Sequence, residues 1–234
     1  MKKLLNFITS FFILFSLLGC SWYFPPTGYE GLTYTAFGDS ITYGADCFNN
    51  CIQMNTPYVN QVGKILHLKS NTNKGINGAT LTNNTGTYNI TTDITSFSEK
   101  RDIISVLGGV NDYGNSLTLG TISDRDNSTI YGSLHISMNY LTTNYKDSLI
   151  FYMTPYKCRN CTDKNSAGYT LENLATAIKE VAAIYNIPVL DLFNEGNFES
   201  VMNNPNCDGL HPNQEFILSH TAPQIARFIK ENYK

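Results

Sequence analysis

Ala36-Phe37-Gly38-Asp39-Ser40 is the stretch on which the fold turns. Leu32 to Phe37 is rich in β-branched and aromatic residues, the composition of a strand, and Gly38 ends it abruptly. A serine just past a strand end, followed by small and polar residues, is exposed rather than packed. Gly-Asp-Ser alone also occurs in ordinary turns, so the rest of the chain has to answer it.

Working outward, Pro57 to Leu68 carries Val59, Val62, Ile65 and Leu66 at helical spacing. Asn73 to Thr80 is rich in turn residues, and Ile94 to Glu99 suggests a short helix. Asp102 to Leu107 reads as a buried strand stopped by Gly108-Gly109. Tyr113 to Ser128 reads as a long polar loop, Ile130 to Tyr145 as a helix and Ser148 to Met153 as a strand. The clearest helix is Leu171 to Tyr185, with one apolar stripe behind a Thr170 cap. Ile187 to Phe193 reads as a short strand. Pro212 suits the first position of a last helix, which Pro223 is expected to kink or break. Strands alternating with helices imply a parallel sheet covered on both faces. Ligands then bind beyond the carboxyl ends of the strands. Ser40, Asn111 and the loop with Cys158 each follow a strand, so all three belong on that edge.

Three later stretches answer the serine: Ile76-Asn77-Gly78-Ala79-Thr80, Gly109-Val110-Asn111-Asp112 and Asp208-Gly209-Leu210-His211-Pro212. In this order and spacing the four blocks resemble those of the SGNH, or GDSL, hydrolase family, from about Thr33 to the C-terminus. The resemblance implies a three-layer α/β/α sandwich with a mainly parallel, flavodoxin-like central sheet. It also implies a serine esterase or acyl hydrolase that cleaves carboxylic esters through an acyl-enzyme, with no metal or organic cofactor.

The residues support that chemistry in their own right. A serine hydroxyl is a weak nucleophile until a base takes its proton. An imidazole is the side chain suited to move a proton near neutrality, which makes His211 the candidate base. Asp208, three residues earlier, can hold the ring nitrogen that faces away from the serine. The Gly-x-Ser-x-Gly elbow is absent, since Thr42 stands where its second glycine would, which disfavours an α/β-hydrolase. By resemblance the oxyanion hole is the backbone N–H of Ser40, the backbone N–H of Gly78 and the side-chain amide of Asn111. Asp39 and Asp112 are expected to hydrogen-bond their own loops. Asp191, at a strand end, is a rival carboxylate for His211. His67, His135 and His220 read as ordinary residues without partners, and Cys207 as a small buried residue.

The formal net charge of the 234-residue chain is −3 and only 15% of residues are charged. No basic patch points to nucleic acid and no acidic tract to disorder. Lys2 and Lys3 precede an apolar run, Leu4 to Leu18, that is too short and interrupted for a good membrane span. It ends in Leu17-Leu18-Gly19-Cys20, which looks like a bacterial lipoprotein signal. Residues 1–19 then read as signal peptide, 20–31 as lipidated Cys20 and tether, and 32–234 as the hydrolase domain. The expected location is the bacterial cell envelope, anchored to a membrane through Cys20. Export permits disulfides, and at least one is expected among Cys47, Cys51, Cys158 and Cys161. With Cys207 the count is odd, so at least one cysteine is unpaired or bonded to another chain. The same four cysteines could instead form a thiolate zinc site. Expected substrates are O-acyl glycans, lysophospholipids or short-chain acyl esters. The alternative reading is a non-catalytic, glycan-binding surface lipoprotein on the same fold. Mass spectrometry of the native protein is expected to find its N-terminus at an acylated Cys20; an unmodified mature N-terminus elsewhere rules the anchor out.

Overall fold

The computed structural model describes residues 28–46, 48, 50–83 and 88–234. The expected signal peptide, the lipidated Cys20, most of the tether, and Cys47 lie outside the described residues. Among the described residues five strands form one parallel sheet: β1 (Thr33–Gly38), β2 (Ser70–Gly75), β3 (Ile103–Leu107), β4 (Leu149–Met153) and β5 (Val189–Leu190), in the order β2-β1-β3-β4-β5. This is the doubly wound order of the flavodoxin-like sheet, whose switch point lies between β1 and β3. The helical elements are α1 (Ser40–Tyr43), α2 (Tyr58–Leu66), α3 (Ile90–Ser96), α4 (Val110–Gly114), α5 (Ile130–Asn144) and α6 (Leu171–Ile184). After β5 come α7 (Leu192–Glu195), α8 (Glu199–Met202), α9 (Gln214–Phe216), a π-helical turn (Ile217–Thr221) and α10 (Ala222–Asn232).

Period-two alternation splits each central strand between two cores. On β4, Ile150 and Tyr152 join a cluster with Leu134, Met138, Leu174 and Ile178 from α5 and α6. Phe151 and Met153 join the opposite cluster with Val59, Val62, Ile225 and Ile229 from α2 and α10. A sheet buried on both faces reads as an unbroken apolar run, which is why Ile-Ile-Ser-Val-Leu and Leu-Ile-Phe-Tyr-Met were legible as strands. α6 starts where its sequence says: Thr170 accepts from the Asn173 N–H at 3.2 Å and Asn173 returns the bond to Thr170 N–H, a reciprocal cap.

Several elements differ from the sequence reading. α3 spans Ile90–Ser96 rather than Ile94 to Glu99, because Asn89 caps it by accepting from the Thr92 N–H. β2, Ser-Asn-Thr-Asn-Lys-Gly, was not expected as a strand, and its last three residues overlap the turn-rich segment from Asn73; asparagine is a poor strand former. Its asparagines bond outward from the ladder: Asn71 Nδ2 donates to Val59 O at 3.1 Å and Asn73 Nδ2 to Thr42 O at 2.7 Å. The strand is held by the elements packed beside it rather than by its own propensity. β5 shrinks to Val189–Leu190, because Pro188 has no N–H for the ladder and Asp191 caps α7. The last helix begins at Gln214 under an Asn213 cap, beyond Pro212. Pro223 does not break it. The preceding turn widens to a π-turn in which Ala222 N–H bonds Ile217 O, so the missing proline donor falls at the start of α10.

The polar β2 also explains Gly75. A Cβ there would overlap Tyr43 N and Thr42 C, backbone atoms of the helix that carries Ser40. Gly75→Ala is expected to cost about 1–3 kcal/mol in urea unfolding, as overpacking against an immovable wall does. Gly31→Ala, with open space around it, is expected to stay within about 0.5 kcal/mol of the parent. Equal stability of the two variants would mean that β2 does not pack under α1.

Candidate active site

Asp39 follows β1 and caps α1, its carboxylate accepting from the Ile41 N–H at 3.0 Å. Ser40 is therefore the first helical residue at the carboxyl edge of the sheet, and it is buried rather than exposed as the sequence suggests, because His211 packs against its hydroxyl. Gly38 is required here: a Cβ would overlap Thr42 and the Leu107 carbonyl. The Ser40 hydroxyl lies 2.8 Å from His211 Nε2 across 171 residues of sequence. His211 Nδ1 lies 2.6 Å from Asp208 Oδ2. The other oxygen of Asp208 accepts from the N–H groups of Leu210 and His211, both at 2.8 Å. Burial pushes the Asp208 carboxyl up, but the His211 ring and these N–H donors outweigh it and hold it below the usual carboxylate range. A charged, fixed Asp208 keeps the ring proton on Nδ1 and leaves Nε2 facing the serine.

Asp191, the rival carboxylate, is elsewhere. It takes Lys179 Nζ at 2.9 Å, Thr154 Oγ1 at 3.0 Å and the Asn194 amide at 2.8 Å. It is a strand-end cap with a salt bridge.

The loop of Gly78 is tied to the same edge. Ile76 N–H bonds Gly38 O at 3.0 Å, and Gly78 has φ +73° with open space where a Cβ would point. That backbone form favours glycine and leaves room for a ligand. Asn111 lies in the first turn of α4, after the left-handed Gly109. Its amide donates to Ala79 O at 2.9 Å, which joins the two loops and leaves a second N–H on the same nitrogen. Asp112 does more than cap its own loop: its carboxylate receives Leu81 N–H at 2.8 Å and Thr82 N–H at 3.1 Å, thirty residues away. Burial pushes Asp112 up to about 6, against those two donors. Asp39 is pushed up to about 7, by burial and by the nearby charge of Asp112.

The segment carrying Asp208 and His211 has little regular structure, and residues unnoticed in the sequence hold it. Arg159 donates through Nε to Met202 O at 2.7 Å, and through its two terminal nitrogens to Cys207 O at 2.9 Å and Asn204 O at 2.5 Å. Its own N–H bonds Gly209 O at 3.0 Å. Cys158 and Cys161, on either side of Arg159, are joined by a disulfide, and Cys207 is also disulfide-bonded. This excludes the four-thiolate zinc site. Gln214 clamps Thr56 from both sides, accepting from its N–H at 2.8 Å and donating to its carbonyl at 2.9 Å. Cys51 is a free thiol whose sulfur lies 3.7 Å from His211 Nδ1. Burial, with Asp208 and Asp46 close by, pushes that thiol up.

The other histidines have partners after all. His135 is buried between Tyr185 OH at 3.1 Å and Ile122 O at 2.9 Å, and burial lowers its pKa. His220 bonds Ser219 Oγ at 2.7 Å and stacks on Phe216.

The sequence model of the GDSL-like lipase/acylhydrolase family matches residues 36–216, from the end of β1 to α9. This chain belongs to that family. Membership and fold together make it a hydrolase of ester bonds. Among solved structures it is similar to a possible lipase of Chitinophaga pinensis, 26% identical, with TM-score 0.65 over 86% of this chain and 98% of that one. An aryl esterase of M. smegmatis is 14% identical, with TM-score 0.62 over 86% of this chain and 100% of the other. A carbohydrate acetylesterase family member of Sinorhizobium meliloti is 16% identical, with TM-score 0.59 over 86% and 99%. Comparison with curated proteins finds no match.

The buried Asp39 gives a pH test. Its folded pKa lies above the unfolded value of 3.8, so between about pH 4 and 7 the folded state binds more protons than the unfolded one. Ionising it then removes stability as pH rises through that window, and the loss is complete above about 7. Asp39→Asn keeps an acceptor for Ile41 N–H without the charge. Its stability relative to the parent is expected to rise from about pH 4 to about pH 8, measured by denaturant unfolding. A difference that stays flat with pH contradicts the raised pKa.

Proposed function

We propose that this protein is a serine esterase that works through an acyl-enzyme. The observation that carries the reading is the hydrogen-bonded chain Asp208–His211–Ser40, at 2.6 and 2.8 Å, on the carboxyl edge of the sheet. In this reading the Ser40 hydroxyl attacks the ester carbonyl as its proton passes to His211 Nε2. Asp208 holds the tautomer and balances the imidazolium that forms. The oxyanion is received by the N–H of Ser40, the N–H of Gly78 and the second amide N–H of Asn111. Collapse expels the alcohol, which takes the proton from His211. Water then enters by the same route: His211 removes its proton, the tetrahedral intermediate forms and collapses, and the acid leaves with Ser40 restored.

The substrate class proposed is an O-acyl group on a glycan, or a lysophospholipid or short-chain acyl ester. Likeness in fold to a carbohydrate acetylesterase family member supports the first, and likeness to a possible lipase the second. The place of action proposed is the bacterial cell envelope, with Cys20 lipidated, as Leu17-Leu18-Gly19-Cys20 suggests.

Nitrophenyl esters from acetyl to long acyl chains provide the test. Ser40→Ala is expected to abolish hydrolysis and fluorophosphonate labelling with the fold intact. Asn111→Ala is expected to lower kcat about a hundred- to a thousandfold with little change in KM. Asp208→Asn is expected to cost up to about ten-thousandfold. Full activity in folded Ser40→Ala would overturn the serine mechanism.

A further inference from the structure

The hydrogen-bonded chain leaves one donor unused. Cys51 is the odd thiol among the described cysteines, with Cys158, Cys161 and Cys207 all in disulfides. It is held with φ +59° by a bond from its N–H to Asp46 O at 3.1 Å. That conformation sets its sulfur 3.7 Å from His211 Nδ1, the ring nitrogen on the Asp208 side. The thiol sulfur, the ring nitrogen and a carboxylate oxygen of Asp208 all lie within 4.8 Å of one another.

We infer that Cys51, His211 and Asp208 form a binding site for a thiophilic divalent cation such as zinc, and that its occupation switches the proposed base off. The donor set is right for the ion: one thiolate, one imidazole and one carboxylate neutralise its charge. Zinc bond lengths of about 2.0–2.3 Å make the tetrahedral edge between nitrogen and sulfur about 3.5 Å, close to the 3.7 Å found. The edge between nitrogen and oxygen should be about 3.3 Å, so Asp208 has to retreat from its present 2.6 Å. Its side chain, 39% exposed, has room to do so. Cys51 is only partly buried, so water can complete the fourth position.

Binding moves protons in a defined way. The Cys51 thiol proton leaves to solvent as the Zn–S bond forms. The metal takes Nδ1, and the single proton of the neutral ring shifts to Nε2. His211 can then only donate to Ser40 and cannot remove its proton. Inhibition therefore follows without any block of the oxyanion hole.

The binding claim stands on its geometry; the switching claim also rests on the proposed serine mechanism. The two are separated by titrating the oxidised, mature protein with cobalt and, independently, assaying nitrophenyl acetate hydrolysis with zinc. Cobalt is expected to give a sulfur-to-metal charge-transfer band in the parent and none in Cys51→Ala. Zinc is expected to inhibit the parent, with reversal by a chelator. Cys51→Ala is expected to need at least about tenfold more zinc than the parent for half-inhibition, each protein being compared with its own metal-free rate. Absence of the cobalt band in the parent, or its persistence in Cys51→Ala, overturns the site even if the protein is an active esterase. A cobalt band lost in Cys51→Ala with equal zinc sensitivity in both proteins overturns the switch.

Discussion

The planar fork of Arg159 is the constraint on which the carboxyl edge depends. Residues 203–213 carry both Asp208 and His211 yet belong to no strand and to no helix. Their carbonyls need donors, and a guanidinium can serve two of them and the adjoining Met202 carbonyl at once, where an ammonium cannot hold the same fixed geometry. Charge-assisted bonds to Met202, Asn204 and Cys207, with the backbone bond to Gly209, fix the loop against the end of β4. The Cys158–Cys161 disulfide restricts the segment that presents Arg159. Gln214 fixes the far side of the loop against Thr56. A hydrogen bond between groups 171 residues apart, at 2.8 Å, is the outcome of those anchors rather than their cause.

What could be read in the sequence followed from local rules that nothing tertiary overrode. Apolar runs of β3 and β4, the stripe and cap of α6, and the glycine after Phe37 each point to one structure. The block Asp208-Gly209-Leu210-His211 was legible because its aspartate and histidine bond each other within three residues. The rest depends on contacts that no local pattern encodes. β2 is polar and becomes a strand because α1 and α2 accept its asparagine amides. Asp112 looked like a loop cap, whereas it organises Leu81 and Thr82. Arg159 lies between two cysteines in a loop, and nothing in its neighbours marks three carbonyls waiting across the fold. Asp208 and Asp191 were both open as partners of His211 until distance separated them.

Two carboxyls, Asp39 and Asp112, sit buried behind this edge, and their position has a cost. Full charge there would oppose negative charge growing on a substrate oxygen nearby. Each carboxyl is engaged by backbone N–H groups, and burial pushes them up to about 7 and about 6, so a share of the charge is neutralised near neutrality. Their role is to shape the Ser40 turn and the loop beyond Gly78. Asp208, in contrast, is held low and ionised beside His211. The same side chain serves two ends because burial dominates in one place and hydrogen bonding in the other.

The central claim is the orientation of one ring: His211 with its proton toward Asp208 and a bare Nε2 toward Ser40. Nitrogen NMR of histidine-labelled protein reads this directly in the neutral imidazole, with the signals assigned by comparison with His211→Gln. The account predicts a protonated Nδ1 and an unprotonated Nε2 for His211. A proton on Nε2 in the neutral, metal-free protein would contradict it, since that ring could not accept the proton of Ser40.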